Sequence, residues 1–515
     1  MTSPRAFVRR GTALLAGAAL LAGAAGATWW ATLTPTAVQA QVGAISVPAP
    51  ATESVYACPA GPGNSVGAVD LGQTSSATSI TVLGQGARAT YQDTRLEETA
   101  LSTRDAEGGV LAVTASVHSD AWATGLVTTS TASGDLRGLT AAACAPASAV
   151  SWIVGGSASL GSSSELRLVN PGRTTVTATV TLYGSTGPLT LPSGGQVAVA
   201  AGGSSSILLE SARSADARLA VSVEADGGML IPSLVTESLD GETPAGTDVL
   251  TAGAAPATEL LVPGVVLEDV SGAGAQDPAD VSGSSGSSAG GGDSGQGRDA
   301  PVLRVVNPSD AEASVSVTMI GTDGEKELPG AGSLVVDPGA VFDVSLTGLE
   351  PGAYGIRLTS SQPVTAAARL VRTAGEYPAG SGTSVRDVAW VQAQDAAVVA
   401  DGALTVPVPG QDLTSTLVLT NPGQDATTVT LAAASGAGYQ DVTVPAGQTV
   451  SMELDSDTLP QGSGTLVLSA PRGSQVRAAA VLTQKVSGDM AGTLVAVVPP
   501  VADVAATSAR ALQLR

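Results

Sequence analysis

The sequence predicts an all-β protein built from tandem antiparallel β-sandwiches of the immunoglobulin-like kind, preceded by an N-terminal signal or anchor helix. Three observations favour this class: a repeated strand–turn–strand unit, alternation of apolar and polar residues with a period of two, and the lack of long helical periodicity. The repeated unit is LRLVNPGRTTVTATVTLYGSTG at 166–187, LRVVNPSDAEASVSVTMIGTDG at 303–324 and LVLTNPGQDATTVTLAAASG at 417–436. Three copies in matching contexts indicate the duplication of one module.

Each copy turns at an Asn-Pro pair. The pairs are Asn170-Pro171, Asn307-Pro308 and Asn421-Pro422. Proline disfavours the helical region for the preceding residue and fixes its own φ for the second position of a turn, while asparagine can bond back onto its own backbone. Gly172 and Gly423 predict type II turns, which need a positive φ at that position, whereas Ser309 predicts a type I turn.

The segment after each turn has the pattern of a half-buried strand. Between Val176 and Leu182 every second residue is apolar and the residues between them are threonine. The same alternation recurs at 315–319 and 429–431. A period of two and a high content of β-branched residues are typical of strands that present one face to a core.

Length and charge set further bounds. A chain of 515 residues predicts several domains, because single cores rarely grow beyond about 250–300 residues. The net charge is −22, and such a surface disfavours nucleic acid and anionic lipid, both of which are bound by clustered basic residues. The charge is most simply explained by solubility.

Residues 1–40 have the pattern of a targeting segment. Arg5, Arg9 and Arg10 precede an apolar run from Gly11 to Leu33, and Val38-Gln39-Ala40 suits cleavage by a signal peptidase. The run is also long enough to span a bilayer, so an uncleaved anchor stays open beside a cleaved signal. Both predict an extracytoplasmic protein, membrane-anchored or secreted, that meets a membrane only through this segment.

Two cysteines, Cys58 and Cys144, are present. In an exported chain two cysteines most often form a disulfide, here closing a loop of 86 residues. Free thiols are the alternative. A cysteine nucleophile is disfavoured because His118 is the single histidine that could serve as its base.

Each module ends on a strand, a small turn and a second strand, with Val127, Val235, Val371 and Leu482 at equivalent positions. The steps between them are 108, 136 and 111 residues. The 29 residues of a Gly/Ser/Asp tract at 271–299 account for the long middle step, and that composition predicts a disordered loop. The predicted organisation is a signal or anchor at 1–40, sandwich modules at 45–144, 145–244, 245–384 and 385–490, and a closing strand and tail at 491–515.

Few residues suggest chemistry. With His118 as its one histidine, the sequence argues against any Ser-His-Asp triad and against most metal sites that use imidazole. Acidic pairs such as Glu97-Glu98 are more often solvated than catalytic, and no Asp-x-Asp-x-Asp run for calcium occurs. We therefore expect no enzyme, no cofactor and no metal site.

Trp122, Trp152 and Trp390 are the candidates for a sugar-binding platform, since exposed aromatic rings stack on sugars. Packing in a core or between modules is the commoner role of such residues. Exposure of the three rings would favour glycan binding, and burial of all three would favour a scaffold.

A Cys-Pro start at Cys58, a second cysteine before SWIVGG (151–156) and hairpins of the LRLVNPG type resemble a family of exported actinobacterial proteins of unknown function. The resemblance covers most of residues 45–500. It implies an envelope location and brings no catalytic residues.

The leading functional hypothesis is a non-enzymatic envelope protein, a structural spacer, scaffold or protein-interaction array. The alternative is a binding protein for envelope glycan or for another exported protein, acting through clefts between modules. The sequence leaves open whether the modules form an extended rod or pack compactly, and an extended row would exceed roughly 100 Å.

Overall fold

A computed structural model of the chain describes residues 45–47, 53–84, 86–97, 100–104, 108–115, 121–268, 300–328, 331–395, 402–407, 413–434, 438–455, 464–502 and 510–512. These residues form strands and two short 3-10 turns, Pro192–Gly195 and Leu209–Ala212, which confirms the predicted all-β class. The predicted signal or anchor, the tract at 271–299 and His118 lie outside this part of the chain. Within it, no helix has the length and apolarity needed to cross a membrane.

The first half of the chain forms two sandwiches after a short strand. That strand is β1 (Ile45–Val47). The strands of sandwich 1 are β2 (Glu53–Cys58), β3 (Thr74–Leu83), β4 (Arg88–Tyr91), β5 (Thr94–Arg95), β6 (Ala100–Arg104), β7 (Gly109–Thr114), β8 (Trp122–Thr131), β9 (Gly138–Ala143) and β10 (Ala145–Pro146). The strands of sandwich 2 are β11 (Val150–Val154), β12 (Ser162–Val169), β13 (Val176–Gly184), β14 (Gly187–Leu189), β15 (Gln196–Val199), β16 (Ser204–Leu208), β17 (Ala220–Asp226), β18 (Ile231–Asp240) and β19 (Thr243–Thr251).

The second half repeats this arrangement. The strands of sandwich 3 are β20 (Ala257–Leu267), β21 (Val302–Val306), β22 (Ala313–Gly321), β23 (Gly324–Glu327), β24 (Leu334–Val336), β25 (Val341–Ser345), β26 (Gly352–Glu376), β27 (Ser384–Gln392) and β28 (Gln394–Asp395). The strands of sandwich 4 are β29 (Gly402–Thr405), β30 (Leu413–Asn421), β31 (Thr427–Ala433), β32 (Tyr439–Val444), β33 (Gln448–Glu453), β34 (Thr465–Ser469), β35 (Arg477–Val486), β36 (Gly492–Val498) and β37 (Val501–Ala502). A last strand, β38 (Arg510–Leu512), pairs antiparallel with β1.

Every sandwich contains one four-stranded row with the same order, which we call its junction sheet. The four rows are β6-β3-β8-β9, β16-β12-β18-β19, β25-β21-β26-β27 and β33-β30-β35-β36. The opposing sheets also share an order, in which a central strand pairs with the first strand of the sandwich on one side and with the return strand of the hairpin on the other. The four rows are β2-β7-β4, β11-β17-β13, β20-β26-β22 and β29-β34-β31. In sandwich 3 the long β26 contributes its first half to one sheet and its second half to the other.

The alternation that predicted these strands is confirmed by burial. In β13, Val176, Ala178 and Val180 are buried and the threonines between them are half-exposed. In β22, Val315 and Val317 are buried between exposed serines. One face of each strand therefore packs into the space between the two sheets, as sandwiches require.

The pairing of strands places the last strand of three sandwiches beyond the boundaries expected at 244/245, 384/385 and 490/491. β19 pairs with β18, β27 with β26, and β36 with β35. Sequence repetition marked the penultimate strand of each module, because that strand carries the recognisable pattern. Hydrogen bonding assigns the following strand to the same sandwich.

Cys58 and Cys144 form a disulfide with an S–S distance of 2.03 Å, which confirms the predicted pairing. It joins the end of β2 to the residue after β9, and so links the two sheets of sandwich 1. Closing 86 residues contributes about 4–5 kcal/mol in the chain-entropy model.

Within residues 50–508, which form one compact unit, the sandwiches close on one another rather than standing in a row. Apolar clusters join sandwich 1 to 2, 2 to 3, 3 to 4, and 4 back to 1. Each cluster contains residues of two sandwiches, for example Ala142 and Val249, Trp390 and Ile153, Val418 and Leu358, and Leu404 and Leu126. The described part of this unit is therefore a closed ring of four sandwiches.

Candidate functional site

The last strand of each junction sheet packs against the last strands of its neighbours. These strands are β9, β19, β27 and β36. Asp387, on β27, has a fully buried carboxylate that accepts hydrogen bonds from two other sandwiches. Its Oδ2 atom lies 3.2 Å from the backbone nitrogen of Leu139 in sandwich 1 and 2.8 Å from that of Val495 in sandwich 4. One side chain thus connects three sandwiches.

Asp248, on β19, completes this four-way junction from sandwich 2. Its Oδ2 atom accepts a hydrogen bond from the backbone nitrogen of Trp390 in sandwich 3 at 2.7 Å. Its Oδ1 atom accepts one from its own neighbour, Val249, at 2.8 Å. The two aspartates therefore tie all four sandwiches through backbone amides, whose positions are fixed by the strands.

Burial dominates the electrostatics of the junction. It raises the pKa of Asp248 and of Asp387 to about 7, although the backbone hydrogen bonds to each carboxylate act in the opposite direction. For Asp387 the charge of Arg137 also lowers the pKa, whereas the charge of Asp248 raises it. Burial likewise lowers the pKa of Arg137. The junction therefore holds carboxyl groups whose charge changes near neutral pH.

Arg137 is fully buried and its charge interacts with that of Asp387. Its Nε atom donates to the carbonyl oxygen of Met490 at 2.9 Å and so joins sandwich 1 to sandwich 4. Among the described residues, neither terminal nitrogen of this guanidinium has a hydrogen-bond partner, and nor does Oδ1 of Asp387. Buried polar atoms of this kind are commonly satisfied by internal water.

Glu237 holds sandwich 2 against sandwich 1. Its buried carboxylate accepts four backbone N–H groups from consecutive residues of one loop, Gly63 to Val66. The distance from Gly63 N to Oε1 is 2.8 Å. Successive amides that converge on one anion form a concave binding site for negative charge, here filled by a side chain of the neighbouring sandwich.

Arg304 has the matching role between sandwiches 3 and 2. Its guanidinium is paired at both ends with Asp343 and donates to three carbonyl oxygens of sandwich 2, which belong to Gly156, Ala217 and Leu219. It also lies 4.7 Å from the ring centre of Trp390. All polar ends of this buried cation are thereby satisfied.

Threonine hydroxyl groups join the other neighbours. Thr449 of sandwich 4 donates to the carbonyl of Ile320 in sandwich 3 at 2.6 Å. Thr124 and Thr405 place their hydroxyl oxygens 3.1 Å apart across the contact between sandwiches 1 and 4. Polar contacts therefore accompany the apolar clusters around the ring.

The three Asn-Pro motifs have one common hydrogen-bond pattern. The Nδ2 atom of each asparagine donates to two carbonyl oxygens. One belongs to the residue four positions later, and the other to the last residue of the strand that precedes the edge strand of the junction sheet. These second acceptors are Val199 for Asn170, Val336 for Asn307 and Val444 for Asn421. Each buried asparagine thus connects its turn to a second loop, 23 or 29 residues further along the chain.

The type II turns predicted at Gly172 and Gly423 are wrong, because neither glycine has a positive φ. The Oδ1 atom of the asparagine instead accepts the N–H of the residue two positions later, at 2.9 Å in both cases. Ser309 makes the same bond to Asn307 at 3.1 Å. The asparagine side chain closes all three turns, so glycine is not required.

Among the described residues, one cleft lies between sandwiches 1 and 2 and another between sandwiches 2 and 3. The larger, of about 550 Å³, separates sandwich 1 from sandwich 2 and is lined by Cys58-Pro59, Gly108-Gly109 and β16. The smaller, of about 110 Å³, lies between sandwiches 2 and 3 and is lined by serines, Arg369 and Arg386. Arg386 is already paired with Asp240 at 3.0 Å.

The candidate sugar platforms do not form a shared surface. Trp152 and Trp390 are both 8% exposed, and Trp152 stacks on Tyr183 with a ring separation of 5.5 Å. Trp122 is half-buried at the start of β8. No group of three metal-ligating side chains occurs in the part of the chain that the structure describes.

A family model described as a family of unknown function, DUF5719, matches residues 99–455. The chain belongs to the DUF5719 family. The match runs from sandwich 1 into sandwich 4 and includes all three Asn-Pro turns, and it confirms the predicted membership of a family of unknown function. No curated protein matches this DUF5719 chain.

The residues that connect the sandwiches were missed by sequence reasoning. Asp248 and Arg304 are single charges within apolar strands of this DUF5719 chain, at AGTDVLT and VLRVV, and Asp387 follows Arg386 in the strand SVRDVAWVQ. A charge inside such a strand predicts a buried, bonded group, because burial of an unpaired charge is costly. That signal was available, but it could not identify the partners.

Proposed function

We propose that this DUF5719 protein is a non-enzymatic, extracytoplasmic envelope protein that acts as a rigid interaction scaffold. In this proposal the ring holds the outer surfaces of four sandwiches in fixed relative positions, so that partner proteins bind in a defined arrangement. The observation that carries the proposal is the four-way junction, in which Asp248 and Asp387 bond to backbone amides of neighbouring sandwiches.

Two further observations support it. Bonds such as those of Glu237 and Arg304 end on backbone atoms of the next sandwich, which specifies orientation as well as contact. The disulfide between Cys58 and Cys144 is typical of proteins in oxidising compartments, which agrees with the targeting segment predicted at 1–40.

The test is recovery of partners from the envelope. The full chain is crosslinked in intact cells, purified from the envelope fraction and compared with Glu237→Ala, which loosens one interface, and with Glu224→Ala, which alters an exposed residue of β17. We expect a constant set of exported proteins with wild type and Glu224→Ala, and a severalfold loss with Glu237→Ala. Turnover of an envelope polymer by the purified chain, or equal recovery with all three proteins, would contradict the proposal.

A further inference from the structure

The ring repeats one contact between neighbouring sandwiches. Sandwich 2 presents the hairpin between β13 and β14, and sandwich 3 presents the equivalent hairpin between β22 and β23. Both are closed by a Gly-x-x-Gly turn, Gly184–Gly187 and Gly321–Gly324. Each hairpin lies against the following sandwich, at the loop before the edge strand of its junction sheet.

The receiving loops are equivalent by their hydrogen bonds. Gly202, Gly339 and Gly447 each have a positive φ, of 63°, 71° and 62°. Each donates its N–H to the residue two positions after the asparagine of an Asn-Pro motif, at 3.0 to 3.2 Å. These three glycines therefore occupy the same place in sandwiches 2, 3 and 4.

Two of these loops are covered. A β-carbon on Gly339 would lie 2.8 Å from the ring of Pro188 in the hairpin of sandwich 2. A β-carbon on Gly447 would lie 3.4 Å from the Glu325 side chain in the hairpin of sandwich 3. A β-carbon on Gly202 would have no described atom within 4 Å.

The exposed loop lines the larger cleft. Gly202 and Gly203 form part of the wall of the 550 Å³ cleft between sandwiches 1 and 2. Beside them, β16 pairs with β12 along one edge, and no other pairing of β16 occurs in the described residues. In sandwich 1 the turn of the equivalent β4–β5 hairpin bonds to its own sandwich, where the Gln92 side chain donates to the carbonyl oxygen of Gly108, on the sandwich 1 side of the cleft, at 3.0 Å.

We propose that the cleft between sandwiches 1 and 2 is a docking site for a β-hairpin of a partner protein, closed by a short glycine-flanked turn. The occupant is inferred from the chain's own interfaces, where a hairpin of this kind covers the equivalent loop. The hairpins of sandwiches 2 and 3 in a second copy of the chain are excluded as occupants, because each already packs against the next sandwich of its own chain. The free edge of β16 offers backbone groups to such a strand.

This docking site specifies the kind of partner that the proposed scaffold binds, and it rests on that proposed function. The two proposals are tested by separate experiments. The probe is a head-to-tail cyclised, fluorescent peptide of residues 318–327, the hairpin of sandwich 3. It is titrated against the full chain by fluorescence anisotropy, with Ser204→Trp to fill the cleft, Ser204→Ala to keep it open, and Ser75→Trp as an exposed control in sandwich 1.

We expect saturable binding to wild type, Ser204→Ala and Ser75→Trp, and at least tenfold weaker binding to Ser204→Trp. Amide signals of Gly202 and Gly203 should shift with peptide in NMR spectra. Absence of binding to wild type, or equal binding to Ser204→Trp, would overturn the docking site. Neither result changes the recovery of envelope partners by crosslinking. Failure of the docking proposal is therefore distinguishable from failure of the scaffold proposal.

Discussion

At the scale of single residues, the buried charges of the ring connect sandwiches through backbone groups. Glu237 shows the principle, since its two oxygens serve four consecutive amides of sandwich 1. Removal of the carboxylate leaves several donors without an acceptor, and an unsatisfied buried donor costs about 1–3 kcal/mol.

We therefore expect Glu237→Ala to lower the free energy of unfolding by about 3 kcal/mol, measured by urea denaturation. Glu224→Ala, on the exposed face of β17, should change it by less than about 0.5 kcal/mol. A cost below about 1 kcal/mol for Glu237→Ala would show that water replaces the bonds to sandwich 1 without penalty.

The junction aspartates predict a pH dependence of stability. Their folded pKa values, of about 7, exceed the ordinary value of 3.8, so the folded chain binds protons more tightly than the unfolded chain between these limits. Their contribution to the free energy of unfolding is fully present below pH 3.8 and is lost as the pH rises through 7. Stability should thus increase as the pH falls from 8 to 5, with a slope of at most about 1.4 kcal/mol per unit for each group.

Unfolding measured between pH 5 and 8 tests this sign. Asp387→Asn should flatten the slope, because an amide does not titrate, and Asp248→Asn should do the same for the second group. Arg137, Arg372 and Asp248 are the charged groups that interact with Asp387, and they stay unchanged in the first variant. The same slope in wild type and both variants would refute the assignment.

At the scale of elements, the Asn-Pro turn is the device that fixes one loop against another. The sequence predicted the turn and its three positions, because proline and asparagine act locally. It predicted the wrong turn type at Gly172 and Gly423, because a glycine is compatible with several turns. The acceptors Val199, Val336 and Val444 lie far along the chain, and local patterns do not specify such contacts.

Two variants of sandwich 4 distinguish the observed turn from a type II turn. Asn421→Ala should cost about 2–3 kcal/mol, since the buried carbonyl of Val444 and the N–H of Gly423 lose their partner. Gly423→Ala should cost less, about 1 kcal/mol, because its φ is not positive and its β-carbon, at 3.0 Å from Oδ1 of Asn421, requires only a small shift of that side chain. A larger loss for Gly423→Ala than for Asn421→Ala, measured by urea denaturation, would favour the type II turn.

At the scale of the whole compact unit, repetition alone did not reveal ring closure. The period of about 110 residues counted four modules and left their arrangement open. Closure depends on pairs such as Arg137 with Met490 and Thr124 with Thr405, which are separated by 353 and 281 residues. Such contacts leave no periodic signal, and a charge inside an apolar strand, such as Asp387, indicates burial without identifying a partner.

Ring closure is tested most directly by a covalent link between the first and last sandwiches. In Thr124→Cys/Thr405→Cys the new sulfurs replace hydroxyl oxygens that lie 3.1 Å apart. The pair should form a disulfide in the oxidised full chain, seen by mass spectrometry of a non-reduced digest, while Thr124→Cys/Thr428→Cys, with Thr428 on the exposed face of β31, should not. Free thiols at both positions in the folded protein, with the native Cys58–Cys144 bond intact, would contradict a closed ring.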